Sequence, residues 1–433
     1  MKKLLSLLFL TFIFAVNVYG DKIKYVFLII GDGMSVSNEI ALSRFLYGKD
    51  RMLAWNEFPV QTFMATWSRT SYQGQYDKNN FDFDKGYDTK TAGVLPYPYY
   101  KSEEAERYFK KSVPTDSAAA ATAMSAGQKV SNGSLCYDKN QNKFITNIVD
   151  EINRDKKFNF AFVTTDLFYG ATPSGFASHN KSRGNYGQIA AEILSKTKPE
   201  IVAGKNEIYE MNNFAALNGY YVLDSSEIEN PQVFSLKDKK IFLRLKRYFV
   251  PQPQENFVTE SFVYSSDTTK FADIVSYTIK ILLEKQKPFF VLVEVADIDK
   301  ANHKNNYKKM LGAVYELNET VQSICGLINS EDTDMTFDNS VIIVTADHST
   351  GMLRFDGRLS KGELPENDVF YDKKITIKVD RNVSYKTKDH VNELVGFYCI
   401  GGDNDLFNKH KNDKNVIDNT AVYKILNEII IGK

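Results

Sequence analysis

Five short apolar runs alternate with helical patterns, and this alternation constrains the fold more than any other feature of the sequence. The runs cover residues 24–30, 158–164, 288–295, 340–345 and 395–400. They are continuous and rich in β-branched or aromatic residues, which is typical of strands buried on both faces. Two helical faces lie between them: one from Phe271 to Leu283 and one from Met310 to Ile328. We therefore predict an α/β fold, a three-layer α/β/α sandwich with a mostly parallel central sheet.

Polar residues follow several of these predicted strands. In a sheet of this kind, functional side chains collect at the carboxyl ends of the strands, where neighbouring strand ends meet. Asp32, Glu294, Asp347 and His348 all fall at such positions. The carboxyl edge of the sheet is therefore the place where we expect the functional site.

The charge balance excludes some classes of protein. The 433 residues include 54 basic and 54 acidic side chains, which argues against a strongly basic nucleic-acid binder or an acidic disordered tail. Hydrophobic residues make up 43% of the chain, which is ordinary for a globular protein. The length allows one large α/β domain or two smaller ones. Three cysteines allow at most one disulfide bond.

The first twenty residues read as a secretory signal peptide. Lys2 and Lys3 precede an apolar stretch over residues 4–16, and small residues follow at Val18 and Gly20. The stretch is shorter than the roughly 20 residues that a membrane span needs. We therefore predict cleavage after residue 20, a mature form without a membrane span, and a periplasmic or secreted location.

Acidic residues and histidines form a set with metal-ligand spacing. Asp299 and His303 are four residues apart, so both can lie on one helical face and hold one cation. Asp347 and His348 are adjacent at a strand end, and His390 comes shortly before the last predicted strand. Each of these residues alone is more often a cap, a turn residue or a packed histidine. Together they use three of only five histidines, and mixed nitrogen and oxygen ligands suit zinc.

Ser117 is the candidate nucleophile. Four alanines follow it and Gly127 lies ten residues on, which predicts a helix that begins at Ser117 and ends before Gly127. The N-terminus of a helix favours an anion and a deprotonated oxygen. The alternative is that Asp116 or Ser117 is only the N-cap of this helix.

A loop-like segment supplies two further candidates. The guanidinium of Arg183 can bind two oxygens of a phosphate monoester at once. The hydroxyl of Thr172 can bind a hard cation such as magnesium. The alternative for this segment is an ordinary solvated loop. His179, in the same segment, could orient a ligand, but a structural role is favoured. Gly31-Asp32-Gly33 imitates a dinucleotide-binding loop, but Val36 stands where the third glycine belongs.

From Asp32 to His390, these motifs and their order resemble the alkaline phosphatase family. The resemblance implies a single domain over residues 21–433, with insertions near 71–111 and 353–389 on the active-site side of the sheet. It implies a metal-dependent phosphomonoester hydrolase that acts on small phosphate monoesters and releases inorganic phosphate through a covalent phosphoserine at Ser117. It also implies a homodimer. From the charge balance we expect no nucleic-acid-specific binding.

The resemblance further implies two zinc ions and one magnesium ion per chain. Asp299, His303 and His390 would bind the first zinc, and Asp32, Asp347 and His348 the second. Asp32, Thr172 and Glu294 would bind magnesium. Asp116, Ser117 and Arg183 would bind the phosphate, and Lys300 matches a basic position of bacterial members. One departure stands out: many members carry an acid or a histidine where this chain has Gly170.

Two other functions compete with this one. A phosphodiesterase or a sulfatase can share the scaffold, but the alanines after Ser117 do not match a sulfatase nucleophile, and Arg183 favours monoesters. A non-catalytic periplasmic protein that binds metal or phosphate would not need a nucleophile beside two cations.

Overall fold

The computed structural model describes residues 23–73, 95–96, 99, 113–228, 236–246, 248–266, 268–366, 382–412 and 414–432. The predicted signal peptide lies outside these residues. So do most of the 71–111 segment and the middle of the 353–389 segment. The division into a single domain with two insertions therefore remains a prediction.

Within the described residues, ten strands form one large sheet. In chain order they are β1 (Tyr25–Gly31), β2 (Val60–Ala65), β3 (Asn159–Leu167), β4 (Ile201–Lys205), β5 (Tyr220–Asp224), β6 (Lys240–Arg244), β7 (Phe289–Val295), β8 (Ser340–Thr345), β9 (Val395–Ile400) and β10 (Val416–Asp418). Their order across the sheet is β10-β2-β9-β8-β1-β7-β3-β4-β6-β5.

The centre of this sheet is parallel. Strand β1 lies between β7 and β8, with Tyr25 opposite both Phe289 and Ser340. Only β9 runs against its neighbours, since it pairs antiparallel with both β8 and β2. The start of β9 therefore lies at the edge where the parallel strands end. The mostly parallel sheet predicted from the sequence is confirmed.

Helices cover the sheet. The longer ones are α1 (Val36–Tyr47), α2 (Ser117–Ala126), α3 (Ile148–Asp155), α4 (Ala171–Ala177), α5 (Tyr186–Glu192), α6 (Glu210–Leu217), α7 (Phe271–Glu284), α8 (Asp297–Asn302), α9 (Tyr307–Ile328) and α10 (Thr420–Ile430). Two short helices, Arg69–Gln73 and Asn404–Asn408, complete the described set together with a few 3₁₀ or π turns. Helix α2 packs with α4 and α10, whereas α9 packs with α1 and α7, so the helices form two separate layers.

The bounds predicted for α2 and the apolar faces predicted for α7 and α9 are found in the structure. Helix α2 begins at Ser117, with Asp116 as its N-cap, and Gly127 ends it in the left-handed conformation at φ 66°. The apolar faces of α7 and α9 are buried, including Ile274 and Val314. None of the helices within the described ranges has the length and apolar character needed to cross a bilayer.

The polar 353–389 segment is ordered where the structure describes it. Leu353–Phe355 and Val383–Tyr385 pair as a buried antiparallel ladder. The hydroxyl of Tyr385 donates to Asn302 Oδ1 at 3.0 Å. The two ends of this segment are thereby fastened to α8, the helix that carries Asp299.

Candidate active site

The carboxyl edge of the sheet gathers the predicted functional side chains. Asp32 follows β1, Glu294 lies near the end of β7, and Asp347 and His348 follow β8. Asp299 lies on α8, His303 caps its C-terminus, and His390 begins a two-residue strand just before β9. Thr172 lies on α4. The remaining three candidates are Asp116, Ser117 and Arg183, at the start of α2 and after α4.

One group of potential ligands is formed by Asp32, Asp347 and His348, whose ligand atoms lie within 4.8 Å of one another. His348 Nε2 is 3.2 Å from Asp347 Oδ2 and 3.5 Å from Asp32 Oδ1. Both of these oxygens are buried, and neither has a hydrogen-bond partner in the part of the chain that the structure describes. Because buried carboxylate oxygens are normally satisfied, this convergence suits a cation.

Gly33 makes the turn after Asp32 possible. Its φ is +68°, and a Cβ on it would lie 2.6 Å from Asp299 Oδ1. Its N–H donates to Asp347 Oδ1 at 3.0 Å. A glycine is required here both by the backbone conformation and by the close approach of α8.

A second group surrounds His390. Asp299 Oδ2 lies 3.2 Å from His303 Nε2, and the Nε2 atoms of His303 and His390 face each other at 3.1 Å. The Nδ1 of His303 contacts the carbonyl of Lys388, and that of His390 contacts the carbonyl of Thr115 at 2.9 Å. Nδ1–H donation to these carbonyls leaves both Nε2 lone pairs directed at one point, which is the arrangement of paired metal-binding histidines.

His348 lies between the two groups. Its ring stacks on that of His390 with centroids 3.6 Å apart, and its ligand atom is also within 4.8 Å of those of Asp299 and His390. The two ligand sets predicted from the sequence are therefore adjacent in space. Their assignment to individual ions remains a prediction.

Thr350 was missed by the sequence analysis. Its hydroxyl donates to Asp299 Oδ1 at 2.6 Å and lies 3.2 Å from His348 Nδ1. It thus joins one residue of each group and directs His348 Nε2 toward Asp32 and Asp347. A threonine two residues after a strand-end histidine carries no sequence signal of this role.

Ser117 lies beside the ligand groups. Its side chain is buried, and its Oγ is 3.1 Å from His348 Nε2. Asp116 is the N-cap, because its Oδ1 accepts from the N–H of Ala119 at 3.0 Å. The N-cap alternative therefore holds for Asp116, and it leaves the Ser117 hydroxyl free to point into the site.

Asp116 also positions Arg183. Its Oδ2 accepts from the N–H of Gly133 at 3.0 Å and from Arg183 Nη1 at 3.1 Å. Burial alone would lower the pKa of Arg183, but Asp116, with Asp32 and Asp347 nearby, raises it. Asp116 holds one nitrogen of the Arg183 guanidinium, and the guanidinium remains near Asp32 and Asp347.

Glu294 and Thr172 lie next to the Asp32 group. Glu294 is buried, and its Oε2 accepts from the hydroxyl of Thr164. Thr172 is fully buried and close enough to Glu294 to lower its pKa, but its Oγ1 makes no hydrogen bond of good geometry. An unsatisfied buried hydroxyl facing a buried carboxylate fits a hard-cation site.

Excess negative charge is the main electrostatic feature of the site. Burial, and then the charge of Asp166, raise the pKa of Glu294 to about 7. Burial, with the nearby charge of Asp299, raises that of Asp347 to about 6. The pKa of Asp32 is raised well above its ordinary value, first by burial and then by Asp347 and Asp299. Bound cations would relieve this repulsion.

A family model described as alkaline phosphatase matches residues 23–212 and 264–420. The chain belongs to the alkaline phosphatase family. The resemblance read from the motifs is therefore confirmed.

The chain is similar, at low sequence identity, to proteins named alkaline phosphatases. Alkaline phosphatase 3 of Bacillus subtilis (strain 168) is 26% identical over 337 residues, which are 76% of this chain and 62% of that protein. The alkaline phosphatase of Escherichia coli (strain K12) is 25% identical over 289 residues, 54% of this chain and 58% of that one. The matches thus span less than two thirds of the length of these relatives.

Solved alkaline phosphatases share the fold. The enzyme of Thermus thermophilus superposes with a TM-score of 0.65 and 16% identity over 96% of this chain and 93% of that one. The enzyme of the Antarctic bacterium TAB5 gives a TM-score of 0.64 and 16% identity over 95% and 99% of the two chains. A mutant of the TAB5 enzyme is described as having Mg bound in the M3 site.

Proposed function

We propose that this protein is a metal-dependent phosphomonoesterase, an alkaline phosphatase, in which Ser117 is the nucleophile. The observation that carries the proposal is the position of Ser117 Oγ, buried at the start of a helix and 3.1 Å from His348 Nε2. A packed serine with only a capping role would not need to face a cluster of potential metal ligands.

The residues fit the metals that the family implies. The facing Nε2 atoms of His303 and His390 and the unsatisfied oxygens of Asp32 and Asp347 suit two zinc ions. The oxygens of Glu294, Thr172 and Asp32 suit one magnesium ion. When bound, the zinc ions would supply Lewis acidity at the attacking and leaving oxygens of the reaction.

A simple serine–histidine pair is less well supported. His348 Nδ1 contacts the hydroxyl of Thr350, and among the described residues no carboxylate contacts this nitrogen. Burial, reinforced by the charge of His390, also lowers the pKa of His348 well below its ordinary value. A histidine in this state is a weak general base but a good neutral metal ligand.

The chain's own residues account for the remaining chemistry. Ser117 Oγ loses its proton and attacks phosphorus, the bond from phosphorus to the ester oxygen breaks, and that oxygen takes up a proton and leaves as the alcohol. Arg183 and the N–H of Ser117 hold the non-bridging oxygens, with Asp116 fixing the guanidinium. Water then cleaves the phosphoserine, which releases inorganic phosphate and restores Ser117.

The deciding experiment compares hydrolysis of a nitrophenyl phosphate monoester with that of the matching diester at mildly alkaline pH. We expect fast monoester turnover that is lost on chelation and restored by zinc with magnesium. Ser117→Ala should abolish turnover and leave the zinc content unchanged. Ser125→Ala, in the same helix, is the matched control and should keep turnover. Preference for the diester would assign the protein to the phosphodiesterases. No turnover of either ester by folded, metal-loaded protein would indicate a binding function.

The proposal extends to location and assembly. Residues 1–20 would direct the chain to the periplasm or the medium, so the N-terminal residue of the exported protein should be Asp21. Light scattering should give the mass of a homodimer, as the family resemblance implies. A retained leader, or a monomer at micromolar concentration, would contradict these two expectations separately.

A further inference from the structure

Asp166 occupies the space next to Gly170. Asp166 Oδ2 lies 3.4 Å from the position that a Cβ on Gly170 would take. The same Cβ would lie 2.9 Å from the carbonyl oxygen of Leu167, so the backbone leaves little room for a side chain at position 170. A carboxylate is thus present beside the glycine, but it comes from the end of β3.

A chain of hydrogen bonds ties Asp166 to Glu294. The N–H of Asp166 donates to Thr164 Oγ1 at 3.0 Å, and the same hydroxyl donates to Glu294 Oε2. Thr164 is fully buried, so this link is shielded from water. The backbone of Asp166 is therefore held in a fixed position relative to a carboxylate of the predicted magnesium site.

Lys300 fixes the side chain of Asp166. Lys300 Nζ contacts Asp166 Oδ1, which leaves Oδ2 on the side of Gly170. The Asp166 side chain is 28% exposed, so water reaches it. The pair is partly exposed, whereas Glu294 is buried.

Thr172 is the independent sign that a ligand belongs here. It is fully buried, and its Oγ1 makes no hydrogen bond of good geometry with any described residue, although it lies close to Glu294. Thr172 lies on the short helix α4, two residues after Gly170, the N-cap of that helix. A buried hydroxyl without a partner costs free energy unless an ion or an ordered water completes its contacts.

We propose that Asp166 is a positioning residue of the third metal site, where it holds the water shell of a hard cation bound by Glu294 and Thr172. Magnesium suits this role, because it prefers oxygen ligands and keeps several of its waters. Lys300 orients the carboxylate and offsets part of its charge. The inference rests on the proposed function for the identity of the ion, and its own claim concerns Asp166.

The test is a magnesium titration of zinc-loaded protein by calorimetry, with zinc content measured in parallel. Asp166→Asn should raise the magnesium Kd by about tenfold, as loss of an outer-shell partner does, and leave two zinc ions bound. Asp155→Asn, an exposed acid in an ordinary surface ion pair, is the matched control and should leave the Kd unchanged.

A second variant separates cation positioning from simple ion pairing. Lys300→Ala removes a positive charge near the ion, while the bond from the Asp166 N–H to Thr164 still holds that residue in place, so magnesium should bind several-fold tighter. If both variants keep the wild-type magnesium Kd and change only the melting temperature, the pair is structural and the inference fails. This outcome is independent of turnover, so it is distinct from a failure of the phosphatase assay.

Discussion

Single side chains decide how the two ligand groups face each other, and Thr350 is the clearest case. Its hydroxyl contacts Asp299 on one side and His348 on the other. Thr350→Val keeps the shape of the side chain and removes both hydrogen bonds. We expect a loss of about 10- to 100-fold in zinc affinity, the usual effect of removing an outer-shell partner.

Zinc affinity of the Thr350 variants can be measured by competition with a chromogenic chelator. Thr350→Ser keeps the hydroxyl and is the matched control, so it should stay near the wild-type value. Equal affinity in Thr350→Val and Thr350→Ser would show that the hydroxyl does not position the ligands.

Arg183 provides the second prediction at this scale. Arg183→Ala should lower kcat/KM for a phosphate monoester by about 10²- to 10³-fold, because donors to the developing charge are lost. Arg183→Lys keeps the charge but lacks the planar fork, so an intermediate loss is expected. Steady-state kinetics of both variants test this. A diester substrate should respond less, and an equal loss on both esters would mean that Arg183 does not select monoesters.

At the residue scale, the sequence identified the ionisable groups better than their uncharged partners. Asp32, Asp299 and His348 stand out because charged residues at strand ends need an explanation. Thr350 and Thr164 act through hydroxyls, and buried threonines in or just after strands are common for packing reasons alone. Only the three-dimensional contacts distinguish these two from ordinary threonines.

At the scale of secondary-structure elements, His179 joins two helices. His179 Nε2 is 3.0 Å from Asp150 Oδ2 on α3, and its Nδ1 is 3.1 Å from Glu192 Oε1 on α5. Burial alone would lower the pKa of His179, but hydrogen bonds to both acids raise it to about 9. The structural role expected for His179 is consistent with these contacts.

This contact predicts a pH-dependent stability. Because the folded-state pKa is raised, its stabilisation is complete below the ordinary value of 6.5 and is lost as the pH rises through about 9. His179→Gln should cost about 2 kcal/mol at pH 6, allowing for screening of the partly exposed Asp150, and much less at pH 10. Melting temperatures of metal-loaded wild type and variant at both pH values measure this. A difference that does not shrink at pH 10 would rule out the charged contact.

The direction of β9 could not be predicted from its pattern of apolar residues. Its run reads like those of β1 and β8, yet it is antiparallel to β8. A continuous apolar run reports burial on both faces, not strand direction. Because of the reversal, His390, which precedes β9, arrives at the same edge as Asp347, which follows β8.

Across the whole molecule, the metal ions would act as part of the fold. Without them, the raised pKa values of Asp347, about 6, and Glu294, about 7, mark carboxylates that are unfavourable when ionised. The free energy of unfolding contributed by protonated Asp347 and Glu294 is present at low pH and is lost as the pH rises through these values. Chelated protein should therefore melt at a lower temperature at pH 8 than at pH 5.5.

Zinc and magnesium should remove most of that difference, because the ions neutralise the same carboxylates. Scanning calorimetry of loaded and chelated protein at both pH values is the measurement. Identical melting curves with and without metal would show that the acids are stabilised in some other way.

The sequence predicted the middle of the sheet and missed its margins. Five predicted strands correspond to β1, β3, β7, β8 and β9. The strands that were missed are short or partly exposed, as in β5, where Tyr221 is exposed, and they give too few buried positions for a clear periodicity.

The predicted ligands of the site begin at Asp32, just after the first strand, and end at His390, just before β9. No early portion of the chain contains the full set, so under the proposed function a nascent or truncated polypeptide that stops before His390 would be catalytically silent. Catalytic competence would appear only when segments far apart in the sequence come together, which is a late event in folding. Activity would therefore report completion of synthesis and folding, and partial products would not release phosphate.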